Sequence, residues 1–133
     1  MNAITDLNQL IASMKPELQD GSYVFTTVSG DIKEHLALNP LACFQESEGL
    51  TLILEQVQAE RANITYEGVF KQITLTVHSS LEAVGLTAAI ATALAEQGIS
   101  ANVVAAHFHD HIFVPEEKAT KAIRALAALS ESV

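Results

Sequence analysis

One stretch of sequence decides the fold: Val77-His-Ser-Ser-Leu-Glu-Ala-Val-Gly-Leu-Thr-Ala-Ala-Ile-Ala-Thr-Ala-Leu-Ala-Glu-Gln-Gly-Ile-Ser100. Before it, apolar and polar residues alternate from Phe70 to Val77, which predicts a strand with one buried face. From about Ala83 to Gln97 the apolar residues recur at helical spacing, and Gly98 is a typical C-terminal stop. The stretch therefore predicts a strand that passes through a polar loop into an alanine-rich helix.

The chain after this helix is predicted to return as a hairpin. Ser100 to Phe108 forms one predicted strand, His109-Asp110 the tip, and His111 to Val114 the partner strand. Pro115-Glu-Glu then opens a last helix, because proline and acidic residues are favoured at the first helical positions. The resulting order, β-α-β-β-α, is the ferredoxin-like pattern without its last strand.

The first half of the chain fits the same plan less completely. The pattern predicts an amphipathic helix over residues 4–14 that ends before Pro16, and a strand at Tyr23–Val28. Residues 29–40 are predicted to form a loop with room for one helical turn. Two short strands at 41–46 and 50–54 should form a hairpin, and residues 55–62 a short helix.

These two patterns are interpreted as a tandem duplication, with halves at residues 1–68 and 69–133. The first copy has lost or shortened its first helix. We expect a strand near Tyr23–Val28, or the segment 64–70, to complete the sheet that the second half lacks.

Composition limits the classes of protein that remain. The chain has 133 residues, 49% of them hydrophobic, enough for one compact domain or two very small ones. A net charge of −9 argues against nucleic acid and anionic membranes as partners. The N-terminus lacks the pattern of a signal peptide, no apolar run approaches membrane-spanning length, and the one cysteine, Cys43, fits a reducing compartment. We therefore predict a cytoplasmic, soluble protein in which Cys43 is a small buried side chain.

The run Ile73-Thr-Leu-Thr-Val-His-Ser-Ser-Leu-Glu-Ala-Val-Gly-Leu-Thr-Ala-Ala89 resembles a bacterial family of small proteins built from two ACT-like domains. Gly98–Ala106 and His109–Pro115 add to the resemblance, and Gly21–Val28 and Glu48–Leu52 are similar to the family's first half. The resemblance implies an α+β fold of ferredoxin-like ACT-like units in tandem, an antiparallel sheet with helices on one face. It also implies homo-oligomers, dimers or larger, that bind amino acids or other small effectors at their interfaces.

The resemblance places a ligand site in two segments. The loop between the first strand and helix of the second half contributes His78, Ser79, Ser80, Val84, Gly85 and Leu86, and the turn into the next strand contributes Ile99, Asn102 and Val103. Free N–H groups at a helix N-terminus are also a favourable place for a carboxylate. Ordinary capping of the helix by a serine is the alternative. The loop departs from many ACT domains, which have an acid or Asn followed by Pro-Gly.

Histidines form the other group of candidates. His107, His109 and His111 alternate, and on one continuous strand they would share a face and could bind Zn²⁺, Ni²⁺ or Cu²⁺ with Asp110 or His78. A hairpin tip at His109-Asp110 breaks this alternation. His109, Asp110 and His111 are therefore considered as additional polar groups of the ligand site, with metal binding and purely structural or solvated histidines as the alternatives.

Catalysis has little support in the sequence. Ser79 or Ser80 could be combined with His78 or His109 and with Asp110, but nothing resembles a nucleophile elbow, and the glycine-rich phosphate loops are absent. We predict no catalytic residue, no cofactor and no resident metal. The predicted function is a non-catalytic, regulatory or sensory module that binds a small molecule, an amino acid by resemblance. The alternatives are a structural module for oligomerisation without ligand, and a metal-binding protein.

Overall fold

Residues 6–77 and 85–133 are the part of the chain that the computed structural model describes. The chain divides into two compact units. The discontinuous unit consists of Met1–Asp20 and Lys71–Val133, and the continuous unit is Gly21–Phe70. The division of the sequence into halves at residues 1–68 and 69–133 stays a prediction.

The helices and strands follow the predicted order closely. They are α1 (Leu7–Ser13), β1 (Pro16–Leu18), β2 (Tyr23–Val28), a 3-10 helix (Ile32–Leu38), β3 (Ala42–Glu46), β4 (Gly49–Glu55), α2 (Gln56–Arg61), β5 (Phe70–Leu75), α3 (Leu86–Ala95), β6 (Asn102–Ala105), β7 (Asp110–Pro115), a 3-10 turn (Glu116–Lys118) and α4 (Ala119–Glu131).

The continuous unit is a small antiparallel sheet under a short helix. β4 lies between β3 and β2 and pairs with both along their length. Its residues Leu50, Leu52 and Leu54 alternate onto one face, where they form a cluster with Val24 and with Ala59 of α2. The predicted loss or shortening of the first helix corresponds to the 3-10 helix, which stands where the discontinuous unit has α3.

The discontinuous unit has a complete ferredoxin-like sheet, in the order β1-β5-β7-β6. Its core contains Ile73 and Leu75 of β5 and Ile112 and Val114 of β7, together with buried residues of α1, α3 and α4. Because alternate residues of a strand share a face, the three helices pack on one side of these two strands. The predicted α+β, ferredoxin-like fold class is confirmed.

The strand that completes this sheet is β1, from the N-terminal part of the chain. β1 pairs with β5 in antiparallel register, Pro16 opposite Leu75 and Leu18 opposite Ile73. The expectation that Tyr23–Val28 or the segment 64–70 would supply this strand is wrong. Pro16 fits the first residue of an edge strand, where no ladder hydrogen bond is required from its nitrogen.

Two further details differ from the sequence prediction. β6 ends at Ala105, which lies opposite Asp110, so the hairpin loop is 106–109 and Asp110 is the first residue of β7. Cys43, expected to be buried, is exposed. It lies on β3, an edge strand whose one partner among the described strands is β4, and edge strands offer less cover to their side chains.

Candidate functional site

The end of β5 and the β6–β7 hairpin meet at one corner of the discontinuous unit. The Nδ1 atom of His109 lies 3.2 Å from the backbone oxygen of Val77. Since a carbonyl can only accept, Nδ1 carries the proton and donates it. The hairpin loop therefore lies beside the point at which the chain enters residues 78–84.

Asp110 follows His109 and is buried, with 8% of its surface exposed. Burial raises the pKa of its carboxyl group, and the neighbouring His111 and His109 lower it by less. Loss of hydration disfavours the charged form of an acid. Asp110 is therefore a partly desolvated acid at the corner where Val77 and His109 meet.

His111 points to the opposite face of the strand from Asp110, because successive strand residues alternate. Its Nδ1 lies 3.0 Å from the amide nitrogen of Gln72 and 3.0 Å from the hydroxyl of Thr74. The hydroxyl of Thr74 also accepts from the Nε2 of Gln19, at 3.0 Å. These four side chains form a polar network on the sheet face away from the helices.

The network favours a neutral imidazole. The amide nitrogen of Gln72 can only donate, so Nδ1 of His111 must accept. Burial lowers the pKa of His111, the positive form of His109 lowers it further, and Asp110 acts in the opposite direction. The hydrogen bonds and the desolvation therefore both favour the neutral form of His111.

The predicted ligand residues after α3 have mixed environments. Ile99 and Leu86 are 3% and 4% exposed and belong to the core, while Val103 packs partly against it. Asn102 is exposed, and its side-chain nitrogen donates to the backbone oxygen of Phe113 at 3.3 Å. Of this group, Asn102 offers the most accessible polar side chain.

The two predicted ligand segments lie at opposite ends of α3. Gly85 precedes the helix and Ile99 follows it, and a ten-residue helix spans about 15 Å. Within one copy of the unit, Gly85 is therefore not brought next to Asn102. His78, Ser79, Ser80 and Val84 lie outside the described residues, so their roles stay predictions.

Gly85 has a clear conformational reason to be glycine. Its φ of +98° is left-handed, and a Cβ at this position would lie 3.0 Å from Cδ2 of Leu7 in α1. The N-terminus of α3 thus begins at a residue that combines an unusual backbone conformation with close packing against α1.

The histidines do not converge on one metal site. His107 stacks edge-on against Phe108, whereas His109 and His111 bond to different partners on β5 and just after it. Among residues 6–77 and 85–133, no group of three or more His, Cys, Asp and Glu side chains is placed to hold a metal ion.

Residues 29–40 of the continuous unit, predicted as a loop with room for one helical turn, contain a helix-capping motif that was not predicted. Asp31 caps the 3-10 helix: its carboxylate accepts from the N–H of Lys33 at 2.9 Å, and Glu34 accepts from the N–H of Asp31 at 2.7 Å. This is a capping box, and its signature of Asp followed three residues later by Glu is visible in the sequence. The backbone donors at this helix start are therefore satisfied by the chain's own carboxylates.

No helix within the described ranges is both long and apolar enough to cross a membrane. What the structure presents is a pair of small ferredoxin-like units, each with a strand-to-helix loop at the end of its first strand.

Comparison with known families agrees with this fold. Two family models, both described as ACT domain, match residues 2–71 and 69–128. The chain belongs to the ACT-domain family, and the predicted resemblance is confirmed. Membership supports the prediction of a regulatory ligand-binding module without identifying the ligand.

Solved structures show similar folds. A Vibrio cholerae protein of unknown function, described as a possible transport protein, is 56% identical, with 93% of this chain and 95% of that chain covered and a TM-score of 0.87. A protein from Agrobacterium tumefaciens is 16% identical over 88% and 89%, with a TM-score of 0.70. The ligand-free regulatory subunit of aspartate kinase from Thermus thermophilus is 14% identical over 86% and 95%, with a TM-score of 0.64. Comparison with curated protein sequences gave no match.

Proposed function

We propose that this chain is a non-catalytic regulatory module that binds an amino acid at the start of α3 and acts in the cytoplasm as a homo-oligomer. The observation that carries the proposal is a difference between equivalent helix starts in the two units. The 3-10 helix is closed by Asp31 and Glu34, whereas α3 begins at Gly85 with no side-chain cap from the described residues.

This difference matters for a zwitterion. The first N–H groups of a helix lack intrahelical partners and attract a negative group. In the continuous unit two carboxylates already occupy that position, so an additional carboxylate would meet like charge. At α3, the α-carboxylate of a ligand could accept from these N–H groups, and we assign the hydroxyls of Ser79 and Ser80 to the same group.

The remaining ligand contacts would come from a second copy. Because Asn102 and Gly85 are separated by the length of α3, a ligand of amino-acid size cannot touch both in one unit. We propose that Asn102 and Val103 of one copy face the start of α3 in another, with Ile99 supporting them from the core. β6 is an edge strand, so Asn102 is placed for an intermolecular contact.

Thermal unfolding in the presence of each proteinogenic amino acid at millimolar concentration tests this proposal. A ligand at about one hundred times its Kd stabilises the folded state by about 2.7 kcal/mol, which gives a measurable rise in Tm. Ser79→Ala combined with Ser80→Ala should reduce the rise, and the exposed Ser47→Ala provides the matched control. If no amino acid raises the Tm of the unsubstituted protein, the proposal is wrong.

A second candidate is a structural module that oligomerises without a ligand. It is favoured by apolar side chains on the continuous unit: Phe44 is 71% exposed, Leu36 61% and Leu41 47%. Light scattering after size-exclusion chromatography would separate the two functions. Oligomers that dissociate in Phe44→Ser and do not respond to amino acids support this second candidate.

A further inference from the structure

The continuous unit has a gap in its sheet that the proposed amino-acid site does not use. β2 pairs with β4 from Tyr23 to Val28, but on its other edge the described pairing is limited to Tyr23 opposite Phe70. The chain just before Phe70 leaves an open cavity of about 500 Å³ beside β2. We call this cavity the threonine groove; its lining includes Phe25, Thr26, Thr27, Thr51, Thr65 and Glu67.

Several polar groups of the groove already have partners. The hydroxyl of Thr26 donates to the backbone oxygen of Thr65 at 3.0 Å, and that of Thr51 donates to Glu46. Tyr66 also lines the groove, but its hydroxyl donates to Glu60 at 3.0 Å and accepts from Gln56 at 2.9 Å. These bonds hold the walls of the groove in place and leave other groups to meet a ligand.

Three acceptors in the groove remain available. The side chains of Thr27, Thr65 and Glu67 are exposed, and none of them has a hydrogen-bond partner within the described chain. Each hydroxyl oxygen can accept, and the carboxylate can only accept. An ammonium group has three N–H donors and no acceptor, so its requirement matches this set.

Charge and shape favour the same ligand. Glu67 is the one charged side chain among the described residues that line the groove, so a cation is attracted and a carboxylate is repelled. The chain's net charge of −9 adds to this preference at long range. Phe25 supplies an apolar wall, held by an edge-to-face contact with Phe70 at a centroid distance of 5.3 Å.

We infer that the threonine groove binds a small primary amine, with its ammonium group on Thr27, Thr65 and Glu67 and its short carbon chain against Phe25. The volume lies within the range typical of small-molecule sites. The inference does not depend on the proposed amino-acid site, because the groove lies in the continuous unit and takes the opposite charge.

Titration of the ¹⁵N-labelled full chain with three probes of nearly equal size tests the inference by NMR. The probes are n-butylammonium, n-butanol and n-butyrate, which differ in the charge of one end. We expect saturable shifts of the amide signals of Thr26, Thr27 and Glu67 with butylammonium, and none with butyrate. Equal responses to butanol and butylammonium, or no response to butylammonium, would overturn the inference.

Two variants assign the ammonium contacts. Glu67→Gln should weaken butylammonium binding about tenfold, because the amide oxygen still accepts a hydrogen bond but the negative charge is lost. Thr27→Val keeps the branched shape suited to a strand and should weaken it severalfold. The control is Glu96→Gln, an exposed residue of the other unit that removes the same charge. Unchanged affinity in Glu67→Gln would contradict the assignment, and the amino-acid response of α3 should be the same in all three variants.

Discussion

The Nδ1 atom of His111 lies 3.0 Å from the hydroxyl oxygen of Thr74, which joins β7 to β5 through their side chains. Thr74 is 6% exposed and Gln72 7%, so the more polar face of β5 is buried nearly as deeply as its apolar face. A buried polar group is tolerated when it is hydrogen-bonded. The bond between His111 and Thr74 therefore allows this face of the sheet to be buried while its polar side chains keep hydrogen-bond partners.

Thr74→Val should destabilise the protein by about 1–2 kcal/mol. The substitution preserves shape but removes the acceptor of Gln19 and a partner of His111, so their polar groups are left partly unsatisfied. Urea unfolding measures the change. Thr87→Val, at an exposed position of α3, is the control and should alter the free energy of unfolding by less than about 0.5 kcal/mol. Equal effects of the two substitutions would mean that the network contributes little.

The protein should lose stability as the pH falls through the range in which histidine titrates. The pKa of His111 is lower in the folded state than the ordinary value of about 6.5, so the unfolded chain binds a proton first. The contribution of neutral His111 to the free energy of unfolding is therefore complete above about pH 6.5. It is lost as the pH falls from there through the folded-state pKa of His111. Gln72, Thr74, His109 and Asp110 are the polar groups that set this behaviour.

Urea unfolding at pH 7.5 and pH 5.5 checks this prediction. His111→Gln should show a smaller difference between the two pH values than the unsubstituted protein. His107→Gln, at an exposed loop position, should retain the full difference. A pH dependence that is the same in all three proteins would exclude His111 as its source.

Asp110→Asn should raise the Tm at pH 7. Burial raises the pKa of Asp110 in the folded state, so the charged form is less stable there than in the unfolded chain. This destabilisation is present above the folded-state pKa and disappears below the unfolded value of about 3.9. Scanning calorimetry at pH 7 and at pH 3 should therefore show a gain from the substitution only at pH 7. A lower Tm at pH 7 would indicate that the charged carboxylate has a favourable partner.

The sequence predicts most of this fold because its signals are local and periodic. The alternation in Phe70–Leu75 and the helical spacing before Gly98 identify β5 and α3 to within a few residues at each end. β1 has only three residues and starts with Pro16, so its strand character comes from pairing with a distant segment. The network around His111 could not be predicted from the sequence either. Gln72 and Thr74 meet His111, and Gln19 meets Thr74, only through the order of strands in the sheet.

Gly30→Ala should destabilise the protein more than Gly98→Ala, although both glycines have left-handed φ angles. At each position, an alanine in this conformation costs about 1–2 kcal/mol. A Cβ on Gly30 would also clash with Oε2 of Glu34, which completes the capping box, while a Cβ on Gly98 would meet nothing within 4 Å. Loss of the cap adds about 0.5–2 kcal/mol.

Urea unfolding of Gly30→Ala, Gly98→Ala and the double variant Gly30→Ala with Glu34→Ala separates the two contributions. The double variant lacks both the clash and the Glu34 cap. Its loss of stability relative to the unsubstituted protein should therefore be close to the sum of the backbone cost and the capping cost. If Gly30→Ala and Gly98→Ala are equally stable, the Glu34 contact contributes little.

Gly85→Ala should weaken the packing of α1 at the start of α3, where the ligand site is proposed. The left-handed φ of +98° costs about 1–2 kcal/mol for alanine, and the new Cβ would lie 3.0 Å from Cδ2 of Leu7. Leu7 is half-buried and the contact is with the end of a flexible side chain, so α1 can shift rather than the sheet. Hydrogen exchange should show lower protection of α1 in Gly85→Ala, and adding Leu7→Ala should remove the steric part while the backbone part remains. If Leu7→Ala gives no relief in the double variant, the loss arises from the backbone of Gly85 alone, and α1 does not determine the conformation at the start of α3.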